Sequence, residues 1–217
     1  MFKISNLNAT IGNKQILSDI NVELSAGSVL LITGHNGSGK STLLHAIMGR
    51  PDIEVTGKIN MSNTILSNLA CYDRAREGVF MFHQSPPDIS GVNTMTLLNE
   101  INKIKNHYAR GKLIVEANDL FLRLGLPKDW SKRQFNLGAS GGERKKNELA
   151  QLTMFGGKLL LLDEPDSGLE QSSRRYIFEM IDRVCEQGSI VLLVSHDRDL
   201  QNHYIKNRIE LENGRMV

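Results

Sequence analysis

Hydrophobic positions alternate over the first two dozen residues: Phe2, Ile4 and Leu7, then Ile16, Ile20, Val22 and Leu24. Gly12-Asn13 separates the two runs, and the pattern predicts antiparallel strands at the edge of a sheet. Ser28 to Thr33 is a short apolar strand that enters a glycine-rich turn and then a helix from about Lys40 to Met48. A second apolar strand is Val79 to Phe82, followed by Ser85-Pro86-Pro87, which must be a loop. Helical spacing marks about Thr94 to Leu124 through Leu97, Leu98, Ile101, Ile104, Leu120, Phe121 and Leu124, and Gly125-Leu126-Pro127 ends it.

The last third alternates. A helix follows Ser140 and stops near Gly156-Gly157, and the strand Leu159 to Leu162 comes next. A helix from about Gln171 to Glu186 carries Ile177, Met180, Ile181 and Val184 on one face, and the strand Ile190 to Val194 follows. Fully apolar strands alternating with amphipathic helices predict an α/β fold: a mainly parallel sheet covered on both faces. Right-handed crossovers then bring the strand C-termini to one edge, where such folds bind ligands.

The 217 residues suit one domain, with room for a helical insertion. Hydrophobic residues at 40% and charged residues at 23% fit a chain with a sizeable core. A net charge of +2 supplies no basic footprint for nucleic acid. Cys71 and Cys185 are too few for a disulfide framework or an iron–sulfur cluster of their own, and read as ordinary small residues in a reducing compartment. Neither a signal-peptide core nor an apolar run of the ~20 residues that span a bilayer is present. The expectation is a cytoplasmic protein with no direct membrane insertion.

The chemistry begins at Gly34-His35-Asn36-Gly37-Ser38-Gly39-Lys40-Ser41, with Thr42 following. This matches G-x-x-x-x-G-K-[ST], between a predicted strand and a predicted helix. Glycines let backbone N–H groups turn toward phosphate oxygens, and the helix N-terminus favours an anion. Lys40 would meet the β- and γ-phosphates of ATP, and the Ser41 hydroxyl would ligate Mg²⁺. The His35 side chain is expected to point away.

Leu159 to Leu162 ends in Asp163-Glu164. The buried strand delivers both carboxylates to the ligand edge, Asp163 for Mg²⁺ and Glu164 to orient or deprotonate an attacking water. His196 also ends an apolar strand, where it could reach the γ-phosphate or that water.

Ala139-Ser140-Gly141-Gly142-Glu143, between the cradle and the carboxylate strand, resembles the signature sequence of the ABC-type ATPases. The resemblance covers the whole chain in the family's order. It implies a P-loop fold with an N-terminal antiparallel β subdomain, a catalytic core at 1–83 and 156–217, and a Q-loop and helical subdomain at about 84–155. It further implies that Ser140, Gly141 and Gly142 contact the γ-phosphate held by a second copy, with ATP sandwiched in a head-to-tail dimer. Gln84 corresponds to the Q-loop glutamine, which reaches Mg²⁺ or the water. Ser167-Gly168-Leu169-Glu170 is similar to the loop that crosses the dimer interface, with Glu170 where the family has aspartate. Ile11 falls near the place of the adenine-stacking aromatic.

Within the family the chain is similar to the SufC-type ATPase of iron–sulfur cluster assembly. The runs that carry this likeness are Gly49 to Gly57, Asp73 to Phe80, Pro87-x-Ile89-x-Gly91-Val92, Ser140 to Glu148 and Asp166 to Leu169. Taken without its neighbours, the basic run Arg144-Lys145-Lys146 reads as a solvated helix face. The segment between Gln84 and Ser140 is short for that branch, the final residues Gly214 to Val217 bring no C-terminal helical extension, and Asp197 stands where the branch often has tyrosine. The likeness implies a SufB- or SufD-like scaffold as partner; a transmembrane permease and an ATP-switched clamp without transport are the alternatives.

Overall fold

The computed structural model describes residues 1–105, 108–109 and 111–217, with the side chain of Ser172 left aside. The chain runs β1 (Phe2–Ile11), β2 (Lys14–Leu24), β3 (Val29–Thr33), α1 (Lys40–Met48), β4 (Glu54–Met61), β5 (Thr64–Ile65), α2 (Cys71–Glu77), β6 (Val79–Phe82) and β7 (Ile89–Asn93). It continues through α3 (Thr94–Lys105), α4 (Lys112–Arg123), β8 (Gln134–Phe135), α5 (Gly141–Phe155), β9 (Leu159–Asp163), α6 (Gln171–Glu186), β10 (Ile190–Val194), α7 (Arg198–His203), β11 (Arg208–Glu212) and β12 (Arg215–Met216).

The early strands do not edge the main sheet. They form a sheet of their own, ordered β2-β1-β4-β5. The second sheet is β12-β11-β3-β10-β9-β6, parallel from β11 to β6, with β12 as an antiparallel hairpin partner. The helical insertion is two helices, since Tyr108 and Ala109 are not helical; residues 106, 107 and 110 lie outside the described residues. Leu98, Leu120, Phe121 and Leu124 are buried as the spacing predicts, but Ile104 at the end of α3 is exposed.

The strand period of two divides the core. Along β9, Leu159 and Leu161 point into one apolar cluster and Leu160 and Leu162 into the other. β10 does the same, with Ile190, Leu192 and Val194 against Val191 and Leu193. The first cluster joins the parallel sheet to α1 and the antiparallel sheet; the second joins it to α3, α4, α5 and α6. An unbroken leucine run is what a strand covered on both faces requires.

α2 carries no apolar period, and its one buried residue is a cation. Arg74 donates from Nη1 to the carbonyls of Ala46 (2.9 Å) and Ile47 (2.8 Å) and from Nε to that of Leu69 (2.9 Å). Its guanidinium thus closes the C-terminus of α1, where carbonyls lack helix partners and the dipole favours positive charge.

Leu161→Ala, at the centre of β9, is expected to lower the unfolding free energy by ~2–5 kcal/mol. Urea denaturation followed by circular dichroism measures it, and an unmoved midpoint would contradict this account of the core.

Candidate functional site

Register assembles the site. Phe82 pairs with Leu162, Val194 with Asp163, and Val194 with Ile32. The connections that begin at His83, Glu164, Ser195 and Gly34 therefore leave the sheet at one level on one edge.

The Gly34–Lys40 turn folds as the motif demands. Gly34 has φ 138°, and a Cβ there would collide with the Leu211 carbonyl and lie 2.7 Å from Ser38 Oγ, so only glycine fits. Gly39 has φ 107° at the cap of α1. Lys40 is buried and donates from Nζ to the carbonyls of Gly34 (2.8 Å) and His35 (2.9 Å). The His35 ring turns to its own chain, Nδ1 lying 2.8 Å from the Asn36 carbonyl oxygen, as expected of a residue that offers only its backbone here. Ser38 Oγ is buried without a hydrogen-bond partner. An ammonium over its own loop, an orphaned hydroxyl and a helix N-terminus free of acidic residues fit a polyphosphate.

Across from the cradle, Ser41 Oγ donates to Asp163 Oδ1 at 3.1 Å. Asp163 is 1% exposed, and its Oδ2 has no hydrogen-bond partner among the described residues. Burial pushes its carboxyl above the ordinary range, against the pull of the Ser41 hydrogen bond. A buried carboxylate with a spare oxygen beside a serine hydroxyl is a hard oxygen donor set that fits Mg²⁺.

Glu164 leaves the strand with φ 49°, which aims its side chain apart from that of Asp163. Its N–H donates to the Val194 carbonyl at 2.9 Å, and its own carbonyl accepts from Lys145 Nζ at 2.7 Å. Two side chains bracket the carboxylate: Gln84 Nε2 donates to Oε2 at 3.0 Å, and His196 Nε2 lies 3.5 Å from Oε1. Gln84, Glu164 and His196, from three separate connections, thus meet.

Ser140, Gly141 and Gly142 stand apart. Ser140 caps α5: its Oγ accepts from Glu143 N–H at 3.3 Å, while Glu143 Oε2 accepts from Ser140 N–H and Oγ, each at 2.8 Å. A Cβ on Gly141 would meet open space. Among the described residues, no hydrogen bond joins these three to the cradle.

In the first turns of α5, the sequence alone assigned no place in the site to Lys145, Lys146 or Glu148. The basic run there is not a solvated face. Lys145 is 5% exposed and holds Glu164, and Lys146 Nζ binds Glu170 Oε1 at 2.6 Å, so Glu170 is tied to its own chain. Glu148 is buried, its oxygens 2.9 Å from His83 N–H and 2.7 Å from His83 Nδ1. That hydrogen bond raises the pKa of His83, and burial pushes the Glu148 carboxyl up. Asn147 donates to Asn136 at 2.8 Å, and Asn136 to the Pro87 carbonyl at 2.7 Å. Lys145 and Glu148, at i and i+3, share a helix face; charge on the core side of a helix was the one available signal. Cys71 and Cys185 are free and half-buried, and no described helix is long and apolar enough to cross a membrane.

The family profile described as "ABC transporter" matches residues 17–167. The chain is 34% identical to a "Probable ATP-dependent transporter" of Synechocystis, over all of this chain and 88% of that protein. It is 32% identical to a "Probable ABC transporter ATP-binding protein" of Streptococcus pyogenes, over all of this chain and 87% of that one. The fold matches the ATP-binding subunit of an ABC transporter with a TM-score of 0.85 at 19% identity, over all of this chain and 88% of that one. It also matches an ATP-binding cassette solved as a dimer after hydrolysis with ADP and Pi, with a TM-score of 0.81 at 20% identity, over all of this chain and 96% of that one. The chain belongs to the ABC transporter family, as one of its ATP-hydrolysing cassettes, with ATP and Mg²⁺ as its ligands.

Proposed function

We propose that two copies of this chain clamp ATP head to tail and that the resulting closure drives a SufB- or SufD-like scaffold in iron–sulfur cluster assembly. The observation that carries the hydrolytic part is the Glu164 carboxylate, bracketed by Gln84 and His196 one residue beyond the buried Asp163.

In this reading Lys40 exchanges the Gly34 and His35 carbonyls for phosphate oxygens, and the amides of residues 34–42 receive the remaining charge. Ser41, Asp163 and Gln84 hold Mg²⁺, which when bound neutralises phosphate charge. Glu164 orients the attacking water and accepts its proton, while His196 and Gln84 fix the carboxylate's direction. Ser140, Gly141 and Gly142, apart from their own cradle, serve the γ-phosphate of the opposite copy. The Q-loop and helical subdomain at about 84–155 carries the face that meets the scaffold, in the cytoplasm.

The scaffold assignment rests on the SufC-like runs, two of which are built into the site: Arg74 closes the phosphate-binding helix, and Lys145 holds Glu164. A membrane permease as partner is favoured by the transporter names of the relatives. Affinity purification with mass spectrometry separates the two. A soluble scaffold is expected, and recovery of multi-span membrane protein alone would remove the first reading.

Glu164→Gln is expected to slow hydrolysis by ~100-fold or more and to accumulate an ATP-bound dimer. Phosphate release and size-exclusion chromatography measure both, and wild-type turnover would strip Glu164 of its role.

Asp163→Asn tests the metal site. A carboxyl whose pKa rises on folding stabilises in its protonated form, and that contribution is lost as pH climbs through the folded value. Above the pH at which the unfolded carboxyl ionises, the buried Asp163 therefore costs stability. The asparagine variant should keep or gain thermal stability without nucleotide, while losing the extra stabilisation Mg²⁺ adds to ATP. Thermal melts with ATP, with and without Mg²⁺, check it; a Mg²⁺ increment of wild-type size would contradict the assignment.

A further inference from the structure

α5 grips the loop that carries Gln84 at both ends. Before Gln84, the Glu148 carboxylate takes His83 twice, by its backbone N–H (2.9 Å) and by its ring nitrogen Nδ1 (2.7 Å). After it, Asn147 reaches the Pro87 carbonyl through Asn136. Between these grips Gln84 is exposed and makes its hydrogen bond to Glu164. Glu148 is 7% exposed, and burying a carboxylate is costly unless its hydrogen bonds are made. The buried Glu148 therefore holds His83 firmly, and a held His83 leaves Gln84 little freedom.

We propose that Glu148 is a positioning residue for hydrolysis, acting through His83 to hold Gln84 against Glu164, so that the place of α5 sets the place of Gln84. The proposal rests on the reading of Gln84 given above. It assigns nothing to the phosphate cradle at 34–41, which leaves a different strand and, among the described residues, shares no hydrogen bond with Glu148 or His83. The effect should therefore fall on turnover and on the Mg²⁺ requirement, with the affinity for nucleotide in the absence of Mg²⁺ left alone.

The test compares Glu148→Ala, Glu148→Gln, His83→Ala, Gln84→Ala and the double variant Glu148→Ala/Gln84→Ala. Misplacing a catalytic group by about an ångström costs up to ~100-fold. Glu148→Ala should lower kcat by roughly 10- to 100-fold with the Kd for ATP measured without Mg²⁺ left unchanged. His83→Ala keeps the backbone contact and should fall between it and the parent. Glu148→Gln can still accept from the His83 N–H, and its amide can face Nδ1, so it should restore most of kcat. The double variant should be no slower than the slower single one. Without nucleotide, amide exchange at residues 83–85 should quicken in Glu148→Ala while that over 34–41 does not; this reads the clamp apart from activity.

If Gln84→Ala turns over normally, the role of Gln84 is wrong and the clamp falls with it. If Gln84→Ala is slow but Glu148→Ala and His83→Ala are normal, or the losses multiply, the clamp alone is overturned. Should Glu148→Ala not fold, His83→Ala and Glu148→Gln carry the same test, since His83 is partly exposed and glutamine keeps the shape.

Discussion

The parallel register of β3, β10, β9 and β6 is the constraint on which the rest depends. Ile32, Val194, Asp163 and, beside Leu162, Phe82 sit where hydrogen-bonded neighbours must, so the ends of four strands lie level. Each strand is buried on both faces, and a slip of one residue would carry every leucine of β9 into the opposite cluster. The same packing that stabilises the core thus aligns Lys40, Gln84, Glu164 and His196. No separate device is needed to bring the four connections together; the apolar alternation does it.

Upon this edge lies α5, whose first turns hold what the sheet alone cannot fix. Connections that leave a sheet are free to move, and polar contacts from one helix restrain two of them, the first at both of its ends. Lys145 secures the turn at Glu164, Lys146 the segment ending in Glu170, and Glu148 with Asn147 the loop around Gln84. These side chains lie on the inner side of a helix whose tip is Ser140. Glu164 and the loop of Gln84 are therefore tied to the helix that begins at Ser140, while among the described residues no hydrogen bond joins that tip to its own cradle.

How much could be read beforehand follows from whether the determinant is local. The cradle, the Asp163-Glu164 pair and the capped start of α5 are contiguous runs whose chemistry requires their order, and all three were legible. β9 and β10 announced themselves by unbroken apolar runs. α2 did not, because its inner face is an arginine and apolar spacing is the signal for a helix. β7 and β8 are short and partly exposed strands whose pairing joins residues more than forty positions apart. His83 and Glu148 are separated by 65 positions, and neither residue type predicts the other. The basic run at 144–146 has meaning only with its neighbours: charge ordinarily faces water, and here burial is offset by partners from other segments.

α1 is only nine residues long, below the length at which a helix holds in water unaided. Unwinding that starts at its far end would reach the nucleotide turn within two coils. Arg74 stands at that far end, gripping the last carbonyls from outside. A side chain from α2 thereby supports, from the opposite end, the helix into which the turn at 34–40 leads.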